Sequence, residues 1–223
     1  KFYACGGGGT LKKFGASQIR KEQCNSGWDW GPCCVTYGIW RPMRIYGYKF
    51  VRLTDVDIQQ THNNGSVMLD VRVETDRIDE SVPLTAEIDI TLDGQTVTSQ
   101  TAAFNGADAN ANITIESPQL WWPNGMGEAT LYDVSIVIKD ANGSLMDAAN
   151  RRVGLRQIEL VMEDDQWGQS FYFRVNGRSF FAKGANWIPA DVFQPRVTEA
   201  KYRQLLNDAA DVHMNMIRIW GGG

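Results

Sequence analysis

The chain has 223 residues, 43% of them hydrophobic and 22% charged, with a formal net charge of −4. These are the proportions of a globular protein long enough to bury a core. Weak acidity without any block of Lys and Arg argues against a nucleic-acid partner or an anionic membrane surface, and no apolar run approaches the about 20 residues that span a bilayer.

Residues 1–48 read as irregular, with a glycine run at Gly6–Gly9 and the hexad Gly27-Trp-Asp-Trp-Gly-Pro32. Gly and Pro on either side restrict the hexad to a turn rather than a helix. Its chemistry suits a saturated sugar. A carboxylate accepts charge-assisted hydrogen bonds from ring hydroxyls, and an indole offers a flat surface to the C–H face. An extended backbone places both indoles on one face and Asp29 on the other. Trp28 and Trp30 are therefore expected in a core, with Asp29 looking outward, because an acid between two core aromatics has little structural reason to be there. Cys5, Cys24, Cys33 and Cys34 lack metal-ligand spacing, so buried thiols are expected, with a disulfide as second reading. Lys1 in place of Met, with no secretory leader, predicts a start inside a longer chain. Asn64, Asn112 and Asn142 each head a glycosylation triplet, which matters only in a secreted protein.

From 49 to 155 the period-2 signal dominates. Val67, Leu69, Val71 and Val73 alternate with polar residues, as do Leu84, Ala86, Ile88, Ile90 and Leu92, then Val134, Ile136 and Ile138. Turn residues separate the runs at Asn63-Asn64-Gly65, Asp93-Gly94 and Asn142-Gly143. Short antiparallel strands over about a hundred residues predict an immunoglobulin-like β-sandwich. Trp121-Trp-Pro-Asn-Gly125 is read as a packed loop rather than a sugar site, from its Pro-Asn-Gly turn chemistry.

After Arg156 the pattern changes. Asn176-Gly177 predicts a hairpin between Phe171–Val175 and Arg178–Lys183. A strand then breaks into the loop that carries Asn186 and Trp187. Thr198 is a predicted N-cap for a helix to about Val212, with Tyr202, Leu205, Leu206 and Ala209 on one face. A strand from Met214 to Trp220 completes a βαβ unit, which demands a parallel sheet. One such unit cannot close a barrel of about 250 residues, so the chain is expected to stop inside a domain. His213 is accounted for by the helix dipole, and His62 has no partner spacing.

Arg20-Lys-Glu-Gln, Gly27-Trp-Asp-Trp-Gly-Pro32, Gly38-Ile-Trp-Arg-Pro42, Pro118-Gln-Leu-Trp-Trp-Pro-Asn-Gly125, Lys183-Gly-Ala-Asn-Trp-Ile-Pro-Ala-Asp191 and Asn215-Met-Ile-Arg-Ile-Trp-Gly-Gly-Gly223 follow one another in this order. Together they resemble the β-mannosidase branch of glycoside hydrolase family 2. The chain departs from the family in its expected missing half and, more mildly, at Cys24-Asn25-Ser26, where an aromatic residue commonly precedes the hexad. The resemblance implies a mainly β chain: the tail of a jelly-roll sugar-binding domain (1–48), an immunoglobulin-like sandwich (49–155) and the first βαβ part of a truncated (β/α)₈ barrel (156–223). It implies hydrolysis of terminal non-reducing β-D-mannosyl residues with retention, by two glutamates about 5 Å apart. Both are expected downstream, so no catalytic residue lies in this segment and the segment alone is expected to be inactive. No cofactor or metal is implied. The implied partners are a β-mannoside glycan and the remainder of the same polypeptide, with no nucleic acid and no membrane.

The resemblance also assigns residues. Asp29 reaches into the barrel pocket to bond hydroxyls of the terminal sugar, with Trp28 beside it. Trp220, at the end of the strand Met216–Ile219, forms an aromatic wall. Arg218 shares its parity, and two roles fit it equally: orienting a downstream glutamate or pairing inside the barrel. Asn186 has the same two readings. Trp187 reads as packing, and Asp191 as a turn cap. Other functions weighed are an exo-β-glucosaminidase, an endo-β-mannosidase relative, and a non-catalytic carbohydrate-binding or spacer module.

Overall fold

The computed structural model describes residues 22–34, 36, 38, 39 and 41–221. Cys5, the Gly6–Gly9 run, Arg20, Trp40, Gly222 and Gly223 lie outside the described residues. The protein is mainly β and packs as two compact units, one of residues 45–181 and one that joins the described residues before 45 to those from 182 on.

In the second of these units a 3-10 turn, Gln23–Asn25, leads into a two-stranded hairpin, β1 (Ser26–Trp28) and β2 (Gly31–Cys33). Asn25 fixes the turn: its amide donates to Glu22 Oε2 at 2.8 Å, and its carbonyl accepts from the Cys34 N–H at 3.0 Å. Ser26 faces Cys33 and Trp28 faces Gly31, so Asp29 and Trp30 are the two turn residues. The hexad is thus a tight hairpin and not an extended run. Cys24 is buried as expected, but Cys33 is exposed and Cys34 half-buried, because a two-stranded ladder has no second layer to cover its outer strand.

The unit of residues 45–181 is a β-sandwich. One sheet has the order β3 (Val51–Asn63), β4 (Ser66–Arg77), β7 (Asp108–Glu116); the other has the order β6 (Gln95–Ala103), β5 (Leu84–Leu92), β8 (Tyr132–Asp140), β9 (Leu145–Val153). Every pairing is antiparallel. Alternation puts Val67, Leu69, Val71 and Val73 with Ala109, Ala111, Ile113 and Ile115 on one inner face. Leu84, Ala86, Ile88, Ile90, Val134, Ile136 and Ile138 line the other, and all of these are buried. Each fully buried Val, Leu or Ile side chain contributes about 1.5–3 kcal/mol relative to exposure. Asp93 and Gly94 both take positive φ (51° and 78°), the backbone of a two-residue hairpin whose twist matches its strands.

Trp121 and Trp122 form a packed structural loop, as their turn chemistry predicts. Trp121 N–H donates to Leu155 O, its carbonyl accepts from the Asn176 amide, and Arg156 lies 4.2 Å over its ring. A Cβ on Gly154 would stand 2.9 Å from the Trp121 ring, so close approach fixes that glycine. A small antiparallel sheet follows, β10 (Ile158–Val161), β13 (Tyr172–Val175) and β14 (Arg178–Phe180), with β11 (Asp164–Asp165) and β12 (Gly168–Gln169) as a ladder of their own. Asn176 and Gly177 turn it with φ of 46° and 79°.

His62, half-buried on β3, donates from Nε2 to Gln60 Oε1 at 3.2 Å. Burial holds its pKa below 6.5, opposed by a backbone hydrogen bond with Arg156. The folded state thus binds fewer protons here than the unfolded chain. The contribution is present above about pH 6.5 and is lost as pH falls through the depressed value. His62→Gln is expected to flatten the fall in urea midpoint between about pH 7.5 and 5.5.

The other unit ends in the βαβ element. β15 (Gly184–Trp187) pairs in parallel with β16 (Met216–Ile219), Gly184 facing Met216 and Trp187 facing Ile219. Between them, α1 (Glu199–Asp211) starts at Thr198, whose hydroxyl accepts from the Lys201 N–H at 3.2 Å. Asn186 and Trp187 therefore lie within a strand rather than in a loop after one: β14 ends at Phe180, and parallel pairing with β16 starts a new strand at Gly184. His213 takes φ 62° directly after the helix cap Val212, and its N–H donates to Ala210 O at 2.9 Å. His213→Gly should raise stability by about 0.5–1 kcal/mol, read as a higher midpoint at unchanged m-value, because glycine adopts this helix-ending conformation without the Cβ penalty. Among the described residues no helix is long and apolar enough to cross a membrane.

Candidate active-site wall

The two-residue turn sets Asp29 at the tip of a hairpin, where its side chain is exposed. The indoles on either side of it do not enter a core. Trp28 is half-buried and Trp30 is 38% exposed, and both meet Trp220 edge to face, with ring centroids 4.9 and 5.4 Å away. Such pairs are worth about 0.5–1.5 kcal/mol each beyond the area they bury. The expectation of core indoles is corrected by this cluster. A tight turn sends Trp28 and Trp30 to one partner, and that partner is a strand-end aromatic from the far end of the sequence.

Trp220 is held from its own side as well. Its N–H donates to Trp187 O at 2.9 Å, which extends the parallel ladder by one residue. Trp187 stacks on Tyr202 of α1 with centroids 5.9 Å apart, in the packing role its sequence suggests. Asn186 and Arg218 face each other in register, and the Arg218 guanidinium donates to Asn186 Oδ1 at 3.2 Å. Both are exposed. A neutral amide partner holds the guanidinium in place without neutralising it, leaving its remaining donors able to meet a carboxylate or a hydroxyl. Asp191 accepts from the Phe193 N–H at 2.8 Å and pairs with Arg196 at 3.4 Å, so it caps its turn.

Asp29, Trp28, Trp30 and Trp220 therefore come together in one unit, and Asn186 and Arg218 face each other on the same ladder, Arg218 two residues before Trp220. Trp30 escaped the sequence reading as a site residue. Nothing in a lone triplet tells that both flanking indoles meet a third. Among the described residues, no group of three His, Cys, Asp or Glu side chains could hold a metal ion.

Comparison with known proteins places these features. Residues 51–156 match glycosyl hydrolases family 2, and residues 4–41 match the galactose-binding domain-like part of glycosyl hydrolase 2. The chain belongs to glycosyl hydrolase family 2. It is 36% identical over 208 residues to β-mannosidase B of Emericella nidulans, covering 92% of this chain and 24% of that protein. Among solved structures it is similar to the β-D-mannosidase of Dictyoglomus thermophilum, at 38% identity and a TM-score of 0.85, over 92% of this chain and 25% of the other. An exo-chitosanase of Amycolatopsis orientalis, at 23% identity and TM-score 0.61 over 78% of this chain and 20% of its own, shares the fold. The chain thus spans about a quarter of the length of the curated relatives it matches.

Proposed function

We propose that the protein containing this chain is a retaining exo-glycosidase that removes terminal non-reducing β-D-mannosyl residues. The observation that carries this reading is identity of 36–38% to β-mannosidases over 92% of the chain. The exposed Asp29 beside the Trp28–Trp30–Trp220 cluster supports it, since an acid at a hairpin tip against aromatic surface is what sugar binding asks for. In this reading residues 1–48 are the tail of a jelly roll, 49–155 the sandwich, and 156–223 the start of a (β/α)₈ barrel.

Asp29 accepts hydrogen bonds from hydroxyls of the terminal sugar, Trp220 forms the wall against its C–H face, and Trp28 braces that wall. Arg218, steadied by Asn186, orients a glutamate supplied by a later strand. The chemistry belongs to two glutamates outside these residues. One attacks the anomeric carbon while the other protonates the leaving oxygen, and water then releases the sugar with its configuration retained. A wall on one side makes a closed pocket, which suits attack from a chain end.

Assaying the intact polypeptide on an aryl β-mannoside and an aryl β-glucosaminide tests the reading. Turnover of the mannoside is expected; turnover of the glucosaminide alone refutes it.

A further inference from the structure

Five asparagines are followed directly by glycine: Asn64, Asn105, Asn124, Asn142 and Asn176. In such a pair the glycine backbone nitrogen can attack the asparagine side-chain carbonyl, because no Cβ stands in the way of the approach. The reaction needs two freedoms at once. The side-chain amide must be free to turn toward the nitrogen, and the peptide between the two residues must be free to rotate.

Four of the five pairs are held. Both polar atoms of the Asn176 side chain are bonded, Oδ1 accepting from the Gln157 N–H and Nδ2 donating to Trp121 O, each at 2.9 Å. At Asn105 the peptide itself is fixed. Its carbonyl accepts from the Asp108 N–H at 3.4 Å, its N–H donates to Asp108 O at 2.8 Å, and Arg77 donates to Gly106 O at 2.6 Å. At Asn142 the attacking nitrogen is occupied, since the Gly143 N–H donates to Asp140 O at 3.0 Å. The Asp140 carboxylate, which accepts from the Asn142 and Ser144 N–H groups, also opposes the amide anion that attack requires. Asn124 is engaged as well, in a turn that the Met126 N–H closes on Pro123 O at 3.0 Å.

Asn64 differs on each count. It is exposed at the tip of the β3–β4 hairpin, just beyond the last ladder pair, Asn63 and Ser66. Among the described residues no hydrogen bond engages its side chain, its carbonyl or the Gly65 N–H. Gly65 has φ 85° and open space where a Cβ would stand. The turn is anchored beyond the glycine, where Gly65 O accepts from the Ser117 N–H at 2.8 Å. The Asn64–Gly65 peptide can therefore rotate while the ladder stays closed.

We infer that Asn64 is a modification site, converting spontaneously through a succinimide to isoaspartate and aspartate with water as the only co-reactant. The Gly65 nitrogen loses its proton and bonds to Asn64 Cγ. The Cγ–Nδ2 bond breaks, and Nδ2 leaves with that proton as ammonia. Water then opens the ring. Cleavage at the Asn64 main-chain carbonyl carries the backbone through Cγ, giving isoaspartate; cleavage at Cγ gives aspartate. Either product adds one negative charge, and isoaspartate puts an extra backbone carbon into a two-residue turn.

The test holds the intact polypeptide, made in a bacterial cytoplasm, in mildly alkaline buffer and follows its tryptic peptides by mass over weeks. Isoaspartate is counted separately by methyl transfer from a protein isoaspartyl methyltransferase. Conversion at Asn64 is expected about tenfold faster than at the other four pairs, as release of one or two hydrogen bonds before attack implies. In urea the five rates should converge to within about threefold, because the fold no longer holds any of them. Asn64→Gln should remove most of the isoaspartyl label from the folded protein. Asn64 converting no faster than the others when folded, or another pair leading, overturns the assignment. So does a lead for Asn64 that survives unfolding undiminished, which would assign the rate to flanking sequence and not to the turn.

Discussion

Asp29→Ala in the intact enzyme is expected to lower kcat/KM for an aryl β-mannoside by about ten- to a hundredfold, while thermal stability stays within about 0.5 kcal/mol of wild type. The first figure is the about 1.5–3 kcal/mol lost with one hydrogen bond to a charged group. The second follows from where the residue sits. Its side chain is exposed at the tip of the β1–β2 turn and anchors nothing in the hairpin, whose ladder runs through Ser26, Trp28, Gly31 and Cys33. Wild-type kcat/KM for Asp29→Ala would exclude the carboxylate from the sugar site. A collapse in stability with it would assign Asp29 to the fold instead.

Gly184→Ala should cost at least about 3 kcal/mol and lower the soluble yield. A Cβ built on Gly184 falls 1.8 Å from the carbonyl oxygen of Met216, its register partner across the parallel ladder. Backbone cannot swing aside as a long side chain can, so β15 and β16 must part. Trp187, Trp220 and the Asn186–Arg218 pair are then misplaced together. Gly47→Ala is the control, because nothing stands within 4 Å of the added carbon. It should stay within about 0.5 kcal/mol of wild type by chemical denaturation.

The sandwich was legible where both the strand and its neighbours are covered. β4, β5 and β8 are central strands, and each puts four or more apolar residues on one face, so alternation marks them. β7 is harder to see because half of its inner face is alanine, Ala109 and Ala111, whose burial leaves a faint period-2 signal. β3, β6 and β9 sit at sheet edges and are polar on both sides over much of their length, so pattern alone does not delimit them. Turns read best of all, since Asp93-Gly94 and Asn176-Gly177 need positive φ at both positions and few residue pairs supply it.

The site was legible in its parts and not in its assembly. A carboxylate between indoles names a sugar chemistry from composition alone. Which aromatic those indoles meet depends on a contact between positions 28, 30 and 220, far apart in sequence, and only the fold makes it. Asn186 was expected in a loop after a strand, yet it lies in β15, where Gly184 lets the two backbones approach. The Arg218–Asn186 hydrogen bond follows once the register is known.

A crystal structure of the intact polypeptide with a mannose-configured inhibitor tests the central claim most directly. The inhibitor's hydroxyls should lie within hydrogen-bonding distance of the Asp29 carboxylate, with the ring against Trp220 and two glutamates from later strands about 5 Å apart at its anomeric carbon. A sugar bound away from Trp220, with Asp29 facing only solvent, would contradict it.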